Sequence, residues 1–567
     1  MSCRAFTRLL VTILVPLASL CTIYLYSYPL FHGCAFPIIN ASGAAALRGA
    51  FAQHWPFTAL LDEEQRHRIA PFRLFVLADP QLEGDTSLPD PEDGFLRRLD
   101  RHRERVFAPH QSKSRRKRAI KIALKELILG DLPALLQGWR KRLDLFGNDY
   151  YLAHIFRTLR WWSKPTHITV LGDLLGSQWV TDEEFEGRAW RYWKRVLAGG
   201  HRVKDDVTFG SVDEAGSPDP YGSKEIDGLG WEDRVINVVG NHDIGYAGDV
   251  SKARIARFEK NFGRADWDIR FSLPSANGQD NSSSNPSLHL IVLNDLVLDT
   301  PAFDSDIQSA SYDYLNSIIT QRSLPVEDKG SFTLLLTHVP LYKTEGICAD
   351  APFFDFHSSD DSDGVYKSGG LKEQNHLSEH VSRSGILEGI YGMTANRNAA
   401  GNGKGRKGLI LTGHDHEGCD VWHHIPDSVD ITTIGQDDED TKSESWNSVA
   451  WRDANISTSH TGVREITLRS MMGEFGGNAG LLSLWFDFDK NEWQYEMQMC
   501  QLGVQHIWWG IHVLDCVTIC MAMLWFVSSR SGSSAISSTE IDAKIASTKT
   551  ENGEVVDRKR PTWQMCS

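Results

Sequence analysis

No Cys-x-x-Cys pair occurs in the chain, which removes the usual spacing of a structural zinc site. Positive charge is short as well: 59 Lys and Arg stand against 74 Asp and Glu, a formal net charge of −15. That balance argues against general nucleic-acid binding, so no nucleic-acid partner is expected. It leaves room for a phosphorylated substrate gripped through metal ions. No internal repeat is present, and the final residues, Gln-Met-Cys-Ser, carry no retrieval signal.

Charge is absent from residues 9–31 and nearly absent from 504–528. A bilayer takes about 20 such residues. The first run is too long for a signal-peptide core and lacks a small-residue cleavage site, so it reads as an uncleaved anchor. The second is entered through Trp508 and Trp509 and contains Asp515, an acid that needs a partner inside a membrane. Arg4 and Arg8 precede the first run and Arg530 follows the second, while Asp487, Asp489, Glu492 and Glu496 lie before the second. The positive-inside tendency then places both termini in the cytosol and the middle of the chain in a lumen.

The expected division is a cytosolic stretch 1–8, a span 9–31, a lumenal linker 32–70, a lumenal domain 71–503, a span 504–528 and a disordered cytosolic tail 529–567. Within the domain, insertions are expected at about 100–150, 204–230 and 355–407, with a further loop at 274–286. Asn40, Asn281 and Asn455 head Asn-x-Ser sequons in the lumenal part and are candidate glycosylation sites. Cys34, Cys348, Cys419 and Cys500 fall in the same oxidising space, where one or two disulfides are expected and the pairing is open. Residues 113–142 join a basic cluster to helical apolar spacing, which suits either lipid headgroups or a solvated helix face.

Between the loops one pattern returns. A short run rich in Leu, Ile and Val ends in polar residues: RLFVLAD, HITVLGD, VINVVGN, LHLIVLND, FTLLLTH and GLILTGH. Continuous apolar runs of that length read as strands buried on both faces, and the helical stretches 182–197 and 251–262 between them point to a layered α/β core. Three later runs, VREITLRSMM, GLLSLWFDFD and WQYEMQMC, read as strands of a second sheet. In open α/β sheets, ligands gather at the carboxyl ends of strands. Those ends carry Asp79 and Gln81; Gly172-Asp173; Gly240-Asn241-His242-Asp243; Thr337-His338; and Gly413-His414-Asp415-His416. One such ending is an ordinary turn or helix cap. Five together bring carboxylates, an amide and imidazoles to one edge.

The order D-x-(H/Q), GD, GNHD, H, GHxH resembles the calcineurin-like metallophosphoesterases. The segments LDLFGNDYYLAHIF and LGDLLGSQWVTDEEFEGRAWRYWKR further resemble the fungal membrane-bound branch acting on glycosylphosphatidylinositol (GPI) anchors. The resemblance implies a layered β-sandwich flanked by helices, with a transmembrane helix near each end. It implies two divalent metal ions, manganese favoured, that polarise the phosphate, supply the hydroxide nucleophile and stabilise in-line displacement. Carried over by position, one metal takes Asp79, Gln81, Asp173 and His416, and the other Asp173, Asn241, His338 and His414. His242 corresponds to the general acid that protonates the departing alkoxide. Gln81 stands where an imidazole is usual and gives a weaker or more manganese-selective site, or leaves that position to water.

For the function, the resemblance implies removal of ethanolamine phosphate from a mannose of GPI anchors, the second mannose preferred and the first the alternative. This would occur in the endoplasmic reticulum membrane, with the Golgi as the alternative, during anchor remodelling and export. GPI-anchored proteins, membrane lipids and cargo-export receptors are the implied partners. The competing readings are a phosphodiesterase with another substrate and a non-catalytic cargo adaptor. Asp243 is expected to brace its loop and Asp415 to point away. Asn294 and Asp295 are expected as a cap or turn, and Tyr246, Tyr342 and Lys343 as residues within reach of substrate.

Overall fold

The computed structural model describes residues 3–551 except 41–42, 55–56, 58–67, 85–87, 89–93, 209–210, 213–217, 220–223, 226–229, 274–284, 322–325, 350, 361–363, 395, 397, 426–446 and 455–460. The chain divides into two compact units. One joins residues 1–27 to 507–567, and the other runs from Tyr28 to His506.

The first unit holds two helices long and apolar enough to cross a membrane, over Ala5–Tyr26 and Gln505–Ser529. The N-terminal helix, α1, is Cys3–Tyr26, earlier than the expected 9–31. Residues 28–31 form a separate short turn of helix in the other unit. Pro29 explains the break, because proline removes a backbone donor and disfavours helix at the residue before it. The C-terminal helix runs Gln505–Glu551, so the tail expected to be disordered from 529 starts as helix. A helix already nucleated in the apolar segment extends at little cost. Asp515 has its partner: the Thr22 hydroxyl donates to both carboxylate oxygens at 3.0 Å. An acid at the centre of a bilayer costs about 3 kcal/mol, and this bond offsets part of it.

The second unit is built on two mixed sheets. In chain order the strands are β1 Phe72–Leu77, β2 His167–Leu171, β3 Arg234–Val238, β4 Trp267–Ser272, β5 Ser287–Val292, β6 Ser331–Leu336, β7 Gly408–Thr412, β8 Cys419–Ile425, β9 Asn447–Ala450, β10 Thr461–Thr467, β11 Asn478–Asp487 and β12 Glu492–Gln501. The first sheet has the order β12-β11-β1-β2-β3, closed by a two-residue edge strand, His201–Arg202. The second has the order β9-β8-β10-β7-β6-β5-β4 and ends on Lys224–Glu225. The three late runs therefore do not make a sheet of their own. β10 joins the second sheet, while β11 and β12 extend the first as an antiparallel edge.

Parallel pairing is what builds the site. β1, β2 and β3 run parallel, with Val76 beside Thr169 and Val170 beside Asn237. β5, β6, β7 and β10 run parallel in the other sheet, with Leu335 beside both Ile291 and Ile410. Parallel neighbours end on the same edge, so their terminal polar residues collect there. The inner faces meet in one core: Leu74, Val76, Ile236 and Val238 pack with Leu290, Leu334, Leu336 and Leu411. At roughly 1.5–3 kcal/mol for each buried aliphatic side chain, this layer fixes the distance between the two ligand-bearing edges.

Helices α2 Phe95–Phe107, α3 Lys113–Glu126 and α4 Leu132–Ser163 occupy the stretch expected as the first insertion. The second half of α4 buries Tyr151, Leu152, Ile155, Phe156 and Leu159. Cys348 and Cys419 form a disulfide, and Cys34 and Cys500 are buried thiols in hydrogen-bonding contact. Asn40 is exposed, whereas Asn281 and Asn455 lie outside the described residues.

Candidate metal centre

The candidate ligands sit past the ends of strands, and four of them lie on backbone that side chains seldom adopt. Asp79, Gln81, Asp173 and His414 have φ of 51°, 41°, 51° and 72°. Left-handed non-glycine residues cost about 1–3 kcal/mol each and cluster where function over-determines the geometry. The neighbouring glycines are required by contact. A Cβ on Gly240 would lie 2.1 Å from the Asp173 amide nitrogen, and one on Gly172 would lie 2.2 Å from His338 Nδ1.

Asp79 and Asp173 are buried side by side, and one ligand atom from each, with one from His416, lie within 4.8 Å of one another. Asp79 accepts the His414 backbone N–H on Oδ1 at 3.1 Å, while its Oδ2 is buried with no partner. Burial, and then the charge of Asp173, push the Asp79 carboxyl well above the ordinary carboxylate range. Two carboxylates in a dry site cannot both ionise without a cation between them.

The other side of the site makes the same demand through hydrogen-bond polarity. His338 Nδ1 lies 2.8 Å from the Leu171 carbonyl, which can only accept, so Nδ1 carries the proton and Nε2 a lone pair. That lone pair faces Asn241 Oδ1 at 2.9 Å and Asp173 Oδ1 at 3.4 Å. His414 repeats the pattern: Nε2 faces the Gln374 carbonyl at 2.8 Å, which leaves the Nδ1 lone pair 3.0 Å from Asn241 Oδ1. Burial keeps these imidazoles neutral, holding His414 at about 3 and lowering His338 and His416. Four acceptors thus converge with no proton to share. A mixed N/O set of this kind fits Mn, Fe or Zn better than calcium. His338 and His414 each also have a carbonyl partner on the nitrogen turned away from the centre, the usual orienting contact of a metal-binding histidine.

Gln81 presents its amide nitrogen. Nε2 donates to Asp173 Oδ2 at 3.0 Å and lies 3.1 Å from His416 Nε2. In this arrangement the Gln81 amide lies against two candidate ligands of one ion, Asp173 and His416. His242 is tied to the centre through its backbone, whose N–H donates to Asp173 Oδ1 at 2.8 Å. Its imidazole is 38% exposed, with Nε2 3.8 Å from Asp173 Oδ2. Asp243 accepts three backbone N–H groups, from Leu174, Leu175 and Gly240, at 2.9–3.2 Å, and so locks the GD loop to the GNHD turn.

Asp415 turns to the Glu417 N–H at 3.1 Å. Asp295 accepts from Val339 at 2.9 Å, and burial raises its carboxyl to about 8. Lys343 is buried against Glu465 at 3.1 Å, so it braces the His338 loop.

Several contributors carry no motif. The segment expected as the third insertion supplies Gln374, whose carbonyl holds His414. Tyr246 brings its hydroxyl within 3.4 Å of the same His414 nitrogen. Ser470 donates to the Asp79 carbonyl at 2.9 Å and Met471 to that of Ala78 at 3.0 Å. A cleft of about 380 Å³ opens beside the centre, lined in part by Trp179, His242, Tyr246, Lys372, Glu373 and Gln374.

No family model matches the chain. Protein TED1 of Saccharomyces cerevisiae is 34% identical over 430 residues, covering 69% of this chain and 81% of that protein. An uncharacterized protein of Schizosaccharomyces pombe is 26% identical over 417 residues, covering 67% and 81%. Metallophosphoesterase 1 of Cricetulus griseus is 28% identical over 143 residues, 25% of this chain and 29% of that one. With its two-sheet core, its Asp79–Asp173–His416 cluster and a relative matched over most of its length, the chain belongs to the phosphoesterase-like family of Protein TED1.

Proposed function

We propose that the chain is a membrane-anchored, two-metal phosphoesterase that removes ethanolamine phosphate from a mannose of GPI anchors. The second mannose is the preferred target and the first the alternative. The observation that carries the reading is the convergence of acceptor atoms around Asn241 Oδ1 beside the paired carboxylates Asp79 and Asp173. Asp79, Asp173 and His416 would hold one ion, and Asp173, Asn241, His338 and His414 the other, with manganese favoured. Two divalent ions supply the Lewis acidity and charge neutralisation that hydrolysis of an anionic phosphodiester requires.

This chain's own residues do the rest. His242, half exposed at the rim and fixed by its backbone on Asp173, gives a proton to the alkoxide that leaves. The cleft holding Trp179, Tyr246 and Glu373 receives the group on that side of the phosphate. Gln81 orients Asp173 and His416. The Cys348–Cys419 disulfide supports a lumenal placement, because such bonds persist in oxidising compartments. The membrane of the endoplasmic reticulum is the proposed site, with GPI-anchored proteins on their way to export as the clients.

Mass spectrometry of GPI glycans from cells carrying the wild type or Asp173→Ala tests the substrate. Retention of ethanolamine phosphate on a mannose in the variant is expected. An unchanged glycan profile together with unchanged export would remove the catalytic reading.

A further inference from the structure

The second unit carries an apolar stripe that nothing within the described residues covers. Leu129, Leu132, Leu136, Trp139, Leu143 and Phe146 recur at intervals of three and four residues along one side of the helix that becomes α4. All six are exposed; Leu129 is 68%, Leu136 62% and Trp139 63% accessible. At 1.5 Å per residue the stripe is about 26 Å long. The opposite side of the same helix is engaged: Gly138 and Asp149 are buried, Asp149 pairs with Arg191 and Arg195, and Lys141 meets Glu83 at 2.6 Å.

The stripe lies within the most basic part of the molecule. From Phe95 to Phe146 there are fifteen Lys and Arg against five Asp and Glu, in a chain whose net charge is −15. Arg115, Arg116, Lys117 and Arg118 sit together and exposed in the first turns of α3. The hairpin is a built element: Asp131 at the start of α4 holds His102 of α2 at 2.6 Å, and Arg105 meets Glu126 at 2.7 Å.

From this geometry we infer that the α2–α3–α4 hairpin is a membrane-surface element, which lays the Leu129–Phe146 stripe into the headgroup region of a bilayer containing anionic lipid. Exposed leucine and tryptophan flanked by arginine and lysine are the composition of interfacial helices, and the basic surplus complements anionic headgroups. Two helices of the same chain are long enough to cross a membrane, so a bilayer is the partner always at hand. The spacing would also fit a second helix, but the surplus of fifteen Lys and Arg over five Asp and Glu across 95–146 favours an anionic surface as the partner. Because Lys141 holds Glu83, two residues from Gln81, the element abuts the metal-centre loop, and a lipid-borne phosphodiester bound at the surface would meet the site from that side.

The test uses the full chain reconstituted in vesicles of phosphatidylcholine with or without phosphatidylserine, read by hydroxyl-radical footprinting of side chains. Labelling of Leu129, Leu136 and Trp139 should fall several-fold in the vesicles with phosphatidylserine. High salt, or the combined change Arg115→Gln, Arg116→Gln, Lys117→Gln and Arg118→Gln, should reverse the fall. Equal labelling in both vesicles would overturn the inference. So would protection that ignores lipid and grows with protein concentration, which would assign the stripe to a second copy. Hydrolysis of a water-soluble phosphodiester by the same preparations is read in parallel. Its loss with the footprint intact counts against the catalytic reading alone, and its survival with an unchanged footprint counts against the surface alone.

Discussion

Asn241 brings one amide oxygen against two imidazole lone pairs, and no proton can satisfy all three. That residue, together with the carboxylates, marks the centre as a candidate cation site. Gln81 lies against two of the candidate ligands. Its type suggested a neutral oxygen ligand, whereas its amide nitrogen reaches Asp173 and His416. Gln81→Ala should therefore weaken metal affinity about 10–100-fold, as loss of an orienting partner does, while metal is still bound. Titration of the apoprotein with Mn²⁺ followed by calorimetry measures it, and unchanged affinity would show that the amide only lines the site. Asp243 belongs to stability. Asp243→Ala strands three buried N–H groups, each worth about 1–3 kcal/mol. Thermal unfolding of the detergent-solubilised protein should show a loss of at least about 3 kcal/mol, and metal loss should follow from unfolding.

At the scale of elements, the parallel strands deliver ligands and the loops between them must approach within contact. Gly240→Ala would force Asp173 away from its place, and a displacement of about 1 Å at a reacting centre can cost 100-fold. A fall in turnover of at least that size, with the disulfide still formed, is the expected result. The loop after β6 is held by a buried ion pair. Glu465 accepts from the Leu341 N–H and faces both Lys343 and His423, at 2.9, 3.1 and 2.6 Å. Burial would raise its carboxyl, but Lys343 and His423 outweigh it and bring the group down to about 2. A depressed folded value means stability that is present above the unfolded value, near 4.5, and lost as pH falls towards 2. The fall is worth about 3 kcal/mol. Lys343→Met should weaken that acid dependence, since His423 and the Leu341 N–H remain, and cost about 3–5 kcal/mol at neutral pH by leaving a buried carboxylate without its lysine. Unfolding followed by tryptophan fluorescence across the pH range reads both effects.

For the whole molecule, the sequence was most informative where a short apolar run met a chemically distinctive ending. Asp79, Asp173, Asn241, His338, His414 and His416 could be read this way because buried strands and their polar termini both leave local signals. Which sheet each strand joins has no local signal. β11 pairs with β1 across some four hundred residues and carries β12 on its other edge, and only the three-dimensional register shows it. Gln374 escaped for the same reason, since its contact uses a backbone carbonyl, whereas Tyr246 was expected near substrate and only its contact with His414 had no local signal.

The Cys348–Cys419 pairing was likewise open until the fold placed the loop after β6 beside β8. That bond closes a separation of 71 residues, and loop entropy of that length is worth about 4 kcal/mol. Replacing both cysteines by serine should lower stability by an amount of that order, while a negligible change would mean that the loop is ordered without it.

Asp173 would serve both proposed ions where the two sheets end. Elemental analysis of the purified full-length protein after manganese loading tests it most directly. Two ions per chain are expected in the wild type, and fewer in a folded Asp173→Ala variant. No bound metal in the wild type, or the same content in the variant, would contradict the account.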